Sequence, residues 1–242
     1  LEQEMVDALL QGEDLEIPYA VACARGDLPP GVCGSALYRK LGEPAVEFAA
    51  KVQEVAGGAE LPPLDLDLKL PGGRLLGRIE KVRTERLVRY RYTKVKAKDQ
   101  LRLWVEHLAL NCAKAEGYPL ESSFVAADTT IHLLPIEQCR EHLDRLLELY
   151  RKGMTHPLKF FPETSLEYAK KSRDPKKAAK AFSDALGKWR GSEFSKGEGE
   201  DDHCRRCFGE EGPLDQEFAD LALAVWGPLL DHQTAKTAAK KK

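Results

Sequence analysis

The sequence predicts an α+β fold, a mixed sheet flanked by helices and followed by a C-terminal helical extension. Three observations carry this expectation. Residues 64–70, Leu-Asp-Leu-Asp-Leu-Lys-Leu, alternate apolar and charged without a break, as a strand with one buried face does. Two further strand-like runs, 75–82 and 87–93, follow after short turns. Apolar residues recur at helical spacing on either side of this block, at 35–56 and 98–114, and every periodic stretch beyond Pro135 is helical.

Taken in order, residues 5–10 form a short helical piece, and 26–31, with the paired Pro29 and Pro30, form a turn. The helix over 35–56 has Ser35 as its N-cap, Leu37, Leu41, Val46, Phe48, Val52 and Val55 as its apolar positions, and Gly57-Gly58 as its stop. Pro71-Gly72-Gly73 turns the first strand into the second, and residues 83–86 turn the second into the third. Short links make the three an antiparallel meander, so 34–127 is expected to form one sheet flanked by helices 35–56 and 98–114. Leu101, Trp104, Val105, Leu108 and Cys112 form the stripe of the second helix. Residues 122–127 and 131–134 add strand material. Helices follow over 136–152, 163–171, 175–189 and 214–230, and the polar stretch 191–202 reads as a mobile loop. The organisation expected is a lead-in at 1–33, a core at 34–135, a helical extension packed on it at 136–235, and a disordered basic tail at 236–242.

Composition bounds the function. The chain has 242 residues, 43% hydrophobic and 31% charged, which suits an ordered globular protein with a sizeable core. No apolar run approaches membrane-spanning length, and the N-terminus has no signal-peptide layout, opening as if cut from a longer polypeptide. Six cysteines without a secretion signal suggest reduced thiols and a cytoplasmic setting. A net charge of −2 is unlike that of a generic nucleic-acid binder, so any DNA contact must come from a local cluster. No Gly-x-x-x-x-Gly-Lys-Ser/Thr pattern occurs, so no ATP site is expected.

The order helix, three-strand meander, helix, strand resembles the core of the restriction-endonuclease-like (PD-(D/E)XK-type) nucleases. In that fold an acid on the second meander strand and an acid–x–Lys triplet on the third hold a divalent metal, since hard cations need oxygen ligands. Here Glu80 takes the first acid position, but the third strand offers Arg89-Tyr90-Arg91. One carboxylate facing two guanidiniums describes an ion pair rather than a metal site. The resemblance therefore implies a catalytically degenerate nuclease fold, with Glu80, Arg89 and Arg91 at its site positions, no catalytic residue, no metal and no cofactor.

Four colinear stretches resemble the C-terminal domain of RecC, the gamma subunit of exodeoxyribonuclease V. They are Arg25 to Gly31 with Gly34; Leu103-Trp104-Val105-Glu106-His107-Leu108; Tyr150 to Met154 with Pro157-Leu158 and Phe161-Pro162-Glu163; and Lys180-Ala181-Phe182 with Trp189 and Gly191. This resemblance implies a non-catalytic scaffold and DNA guide within a RecBCD-type helicase–nuclease that processes double-strand break ends for recombinational repair. Its implied partners are RecB-like and RecD-like subunits and DNA, with no membrane and no small-molecule substrate.

Two other functions are open on the residues. An active metal-dependent nuclease could use relocated ligands such as Glu47, Glu80 and Asp99. A stand-alone zinc or protein-interaction module could use Cys204 and Cys207 with His203 and a distant Cys23, Cys33 or Cys139. Against the second, Cys204, Cys207 and Phe208 fit one face of a short buried helix as small hydrophobes. His107 reads as a structural histidine, and Trp104 and Trp226 as core residues. The basic run through the meander supplies the candidate DNA contacts Arg78, Lys81, Arg83, Arg89, Arg91 and Lys94, interleaved with Tyr90 and Tyr92. Phosphate contact of this kind is sequence-blind and salt-sensitive. Solvated strand faces would look the same in sequence.

Overall fold

A computed structural model describes residues 1–209 and 212–237. Helices α1 (Glu2–Gln11), α2 (Glu16–Arg25) and α3 (Val32–Ala56) lead into the hairpin β1 (Leu64–Leu70) and β2 (Gly73–Ile79). Strand β3 (Leu87–Arg91), helix α4 (Ala97–Ala113), and strands β4 (Ser122–Ala126) and β5 (Thr129–Leu133) follow. Helices α5 (Cys139–Gly153), α6 (Pro162–Ser172) and α7 (Ala181–Arg190) come next, then the two-residue strands β6 (Gly191–Ser192) and β7 (Ser195–Lys196). Helices α8 (Asp202–Phe208) and α9 (Gln216–His232) and strand β8 (Gln233–Thr237) follow.

The expected α+β class, with a mixed sheet and flanking helices, is what the structure has. The single sheet across the meander is not. The β1–β2 hairpin forms a sheet of its own, and the larger sheet runs β3-β4-β5-β8, with β3 and β4 parallel and the other neighbours antiparallel. The ladder breaks where Lys81 takes a left-handed backbone (φ 55°), a conformation costly for a side chain with a Cβ. Beyond it the isolated bridge Val82↔Leu87 pairs the segment after β2 with the start of β3. Parallel pairing of β3 with β4 needs a long crossover, and α4 supplies it.

Alternation along β3 divides two cores. Leu87 faces α4 together with Phe124, Ala126, Trp104 and Leu108, whereas Val88 and Val125 face α1 and α3 with Met5, Val6, Phe48 and Val52. The hairpin joins the α4 side through Leu66, Leu68 and Leu70, and α5, α6 and α9 cover that side with Leu143, Leu166, Trp226 and Leu229. A third cluster around Phe161, Trp189 and Phe218 holds the C-terminal helices together.

Several local expectations change. Helix α3 begins three residues before Ser35, whose hydroxyl bonds back to the Val32 carbonyl at 3.0 Å inside the helix. Its buried face is Tyr38, Ala45, Phe48, Ala49, Val52 and Ala56, while Leu37 and Val46 are exposed. The stretch 191–202 is a built corner, not a free loop. Glu198 accepts from the Glu163 and Thr164 amides at 3.1 and 2.7 Å, capping α6, and a Cβ on Gly199 would meet the Trp189 ring at 2.5 Å. Strand β8 takes in residues 236 and 237 of the expected tail, and 238–242 lie outside the described residues. Cys204 and Phe208 pack inward one turn apart on α8, but Cys207 is exposed, so the three do not share a buried face.

Candidate functional site

The α4-facing side of β3 continues past Leu87 as Arg89 and Arg91, two residues apart and therefore on the same face. Tyr90 and Tyr92 turn the other way: the Tyr90 hydroxyl donates to Asp7 at 2.9 Å and the Tyr92 ring lies 4.9 Å from that of Phe48. Arg89, Arg91, Lys98, Asp99 and Arg102 line a cleft of about 580 Å3 whose floor includes Leu103 and Phe124. This cleft lies between the edge strand β3 and the first turns of α4.

Helix α4 supplies the carboxylates that hold the arginines. Arg89 Nε donates to Glu106 at 2.6 Å, and its Nη1 donates to the Val88 carbonyl at 3.2 Å. Arg91 Nη1 donates to both oxygens of Asp99, at 3.2 and 3.3 Å. Asp99 also accepts from the Lys96 amide at 3.3 Å, closing the start of the helix. Glu106 takes a second cation, Arg102, at 3.4 Å. The helix start is itself tied down, since the Ala97 amide donates to Glu163 of α6 at 2.8 Å.

Glu80 does not pair with either arginine, contrary to expectation. It is exposed, one residue past the end of β2, and acts weakly on Arg78 of that strand. The turn at Lys81 carries it away from β3, and acids one helix later in sequence take its place. Glu47, Glu80 and Asp99 are not brought together. Among the described residues no group of three or more His, Cys, Asp or Glu side chains is arranged to hold a metal, Cys204 and Cys207 included.

The candidate DNA contacts are likewise dispersed. Arg78 is held by Asp65 across the hairpin at 2.6 Å, and Arg74 by Asp67 at 2.6 Å, so β1 neutralises the basic residues of β2. Lys81 and Arg83 border a different cleft, between β3 and α3 near Glu60, and Arg83 donates to the Gly58 carbonyl at 3.0 Å. Lys94 is exposed beyond β3. The six thus divide: Lys81 and Arg83 share the α3 cleft, Arg89 and Arg91 share the α4 cleft, and the residues that join the latter pair, Lys98 and Arg102, come from the next helix. Arg102 was not among the sequence candidates. Its signal was present in the helical spacing: with Lys98 and Glu106 it falls at i, i+4, i+8 on α4.

His107, buried behind this cleft, serves the fold. Its Nε2 lies 3.0 Å from the Leu134 carbonyl and so carries the proton, leaving Nδ1 to accept from the Ser122 hydroxyl at 2.8 Å. Burial pushes its pKa down to about 4. Trp104 and Trp226 are fully buried core residues.

The Arg89–Glu106 contact is charge-assisted and half-buried, with side chains 22% and 20% exposed. A double-mutant cycle of Arg89→Ala and Glu106→Ala, read by urea unfolding, is expected to give a coupling of about 1–2 kcal/mol, between the values for exposed and buried pairs. A coupling indistinguishable from zero would make this a surface pair with no share in holding the cleft.

The sequence matches the family model described as the RecC C-terminal domain over residues 1–173. It is similar to the RecBCD enzyme subunit RecC of Escherichia coli (strain K12), 27% identical over 228 residues, covering 90% of this chain and 20% of that protein. It is also similar to the RecBCD enzyme subunit RecC of Buchnera aphidicola subsp. Schizaphis graminum (strain Sg), 22% identical over 233 residues, covering 93% of this chain and 22% of that one. The chain thus spans about a fifth of the length of these relatives. With most of its length inside the family match, and the colinear stretches from Arg25 to Glu163 within it, the chain belongs to the RecC C-terminal domain family.

Proposed function

We propose that this chain acts as a non-catalytic, nuclease-like part of a RecC subunit in a RecBCD-type helicase–nuclease, a scaffold and DNA guide during the processing of broken duplex ends for recombinational repair. On this reading its partners are RecB-like and RecD-like subunits and DNA, its setting is the cytoplasm, and residues 34–135 form the restriction-endonuclease-like core with 136–235 as the extension. The observation that carries it is the third strand. Where the related nucleases place acid–x–Lys, this chain has Arg89-Tyr90-Arg91, and both arginines are held by carboxylates of α4. Two fixed cations at that position repel a divalent metal, and the carboxylates nearest to them are already engaged.

The test has two parts. The chain is expected to leave linear duplex and single-stranded DNA intact in Mg2+ and in Mn2+. Cleavage that disappears in Glu80→Ala would replace this reading with an active nuclease using relocated ligands. The full-length subunit is expected to co-purify with an ATP-dependent helicase–nuclease, and its isolation as a free protein from cells containing that complex would refute the scaffold role.

A further inference from the structure

We propose that the cleft between β3 and α4 binds the phosphate backbone of single-stranded DNA, with Lys98 and Arg102 as the binding cations and Arg89 and Arg91 as fixed cationic walls. The proposal deepens the DNA-guiding reading and rests on it. It assigns the contact to one cleft and to a helix that the basic run of the meander only touches.

Charge is the first support. Four cations, Arg89, Arg91, Lys98 and Arg102, line the cleft, and two carboxylates, Asp99 and Glu106, answer them, which leaves an excess of two positive charges in a chain whose net charge is −2. The hairpin cations Arg74 and Arg78 have no such excess, being paired one to one with Asp67 and Asp65.

Donor geometry is the second. Glu106 and the Val88 carbonyl occupy Nε and Nη1 of Arg89, and Asp99 occupies Nη1 of Arg91. The Nη2 group of each guanidinium therefore remains for a ligand, and the carboxylates hold both planes in place before one arrives. Arg is suited to this because its planar fork can serve a carboxylate on one edge and a phosphate on another. Lys98 is exposed and has no ion pair among the described residues, and Arg102 is 79% exposed with only its 3.4 Å contact to Glu106. These two can close on a phosphate as it enters.

Shape selects the class of ligand. A cleft of about 580 Å3 takes a nucleotide-sized group and is far too small for the cylinder of a duplex. Its lining includes Leu103 and Phe124, buried at 1% and 5% exposure, and Tyr90, which is half-buried with its ring packed against the α1–α3 core and its hydroxyl committed to Asp7. No aromatic face is therefore offered for base stacking, and recognition is by charge and blind to sequence. The same lining disfavours an acidic peptide, which would find no open apolar pocket for an anchoring side chain.

The experiment is fluorescence anisotropy of a labelled 20-nucleotide oligo-dT titrated with this chain at two salt concentrations. The comparison is with Lys98→Glu/Arg102→Glu, the milder Lys98→Gln/Arg102→Gln, and Lys40→Glu, an exposed control on α3. The cleft variants are expected to bind at least about tenfold more weakly at low salt and to lose about 1.4 units of the log–log salt slope, about 0.7 for each phosphate contact on a single strand. The control is expected to stay within about twofold, as befits a change in net charge alone. Equal weakening by Lys40→Glu, unchanged binding in both cleft variants, tighter binding of a duplex of the same length, or equal competition by polyglutamate would each overturn the proposal. Co-purification with the helicase–nuclease that persists while oligo-dT binding fails would remove this site and leave the scaffold reading intact.

Discussion

Asn111→Ala is expected to destabilise the fold by about 3 kcal/mol, because one buried amide joins three chain segments. Its Nδ2 donates to the Leu120 carbonyl at 2.9 Å and to the His107 carbonyl one turn back at 2.9 Å, and its Oδ1 accepts from the Ile136 amide at 3.1 Å. Leu120 leads into β4 and Ile136 leads into α5, so the side chain fixes both connections against α4. The residue is 1% exposed, and truncation leaves partners that water reaches poorly. Each lost bond contributes about 1 kcal/mol, and each polar group left buried without a partner costs about 1–3 kcal/mol. Asn111→Asp should be no better, since a carboxylate cannot donate to Leu120. Urea unfolding at pH 7 measures both, and a loss below about 1 kcal/mol for Asn111→Ala would show that the connections hold without it.

Stability is also expected to fall on acidification from about pH 6.5 toward pH 4, by an amount on the order of 3 kcal/mol assignable to His107. Burial lowers the folded-state pKa of this imidazole to about 4, from an ordinary value of 6.5. Above pH 6.5 it is neutral in both states and the stability is whole. Between the two values the unfolded chain binds a proton that the folded chain refuses, so unfolding is favoured as pH drops. The hydrogen bonds give the structural reason. Nε2–H is committed to Leu134, and the Nδ1 that would take the extra proton faces the Ser122 hydroxyl at 2.8 Å and the Asn111 amide at 3.4 Å. His142, beside the same Trp104 ring, is lowered chiefly by burial as well and adds to the slope in the same direction. Carboxylates titrate in the lower part of this window, so the measurement is the difference between wild type and His107→Gln from pH 6.5 to 5. Identical slopes would show that His107 titrates normally.

Much of the architecture could be read along the chain because it rests on local periodicity. The strand 64–70 was legible to the residue, since each apolar position there meets the same buried face. Helix α4 was legible within one residue at each end. The neutralised hairpin was within reach too: a turn at 71–72 sets a register that puts Arg78 opposite Asp65, a pairing that follows from strand geometry. Helix α2 was missed because Gly12 and Gly26 bracket a short, largely exposed segment with only Ala22 buried.

The amino-acid order carried family membership, the α+β class, the absence of acid–x–Lys at 89–91 and the shared face of Arg89 and Arg91. Each of these follows from residue identity or from the two-residue period of a strand. The partners of those arginines lay outside its reach. Glu80 is nearer in sequence than Glu106, yet the left-handed turn at Lys81 separates β2 from β3 and turns Glu80 outward. The packing of α4 against β3 then brings Asp99 and Glu106 to the guanidiniums, with Lys98 and Arg102 on the same cleft. Where a helix lies across a sheet is set by the fit of Leu103, Trp104 and Leu108 into the common core, a long-range property that no local period encodes. The cleft and its charge therefore exist only once that core has closed.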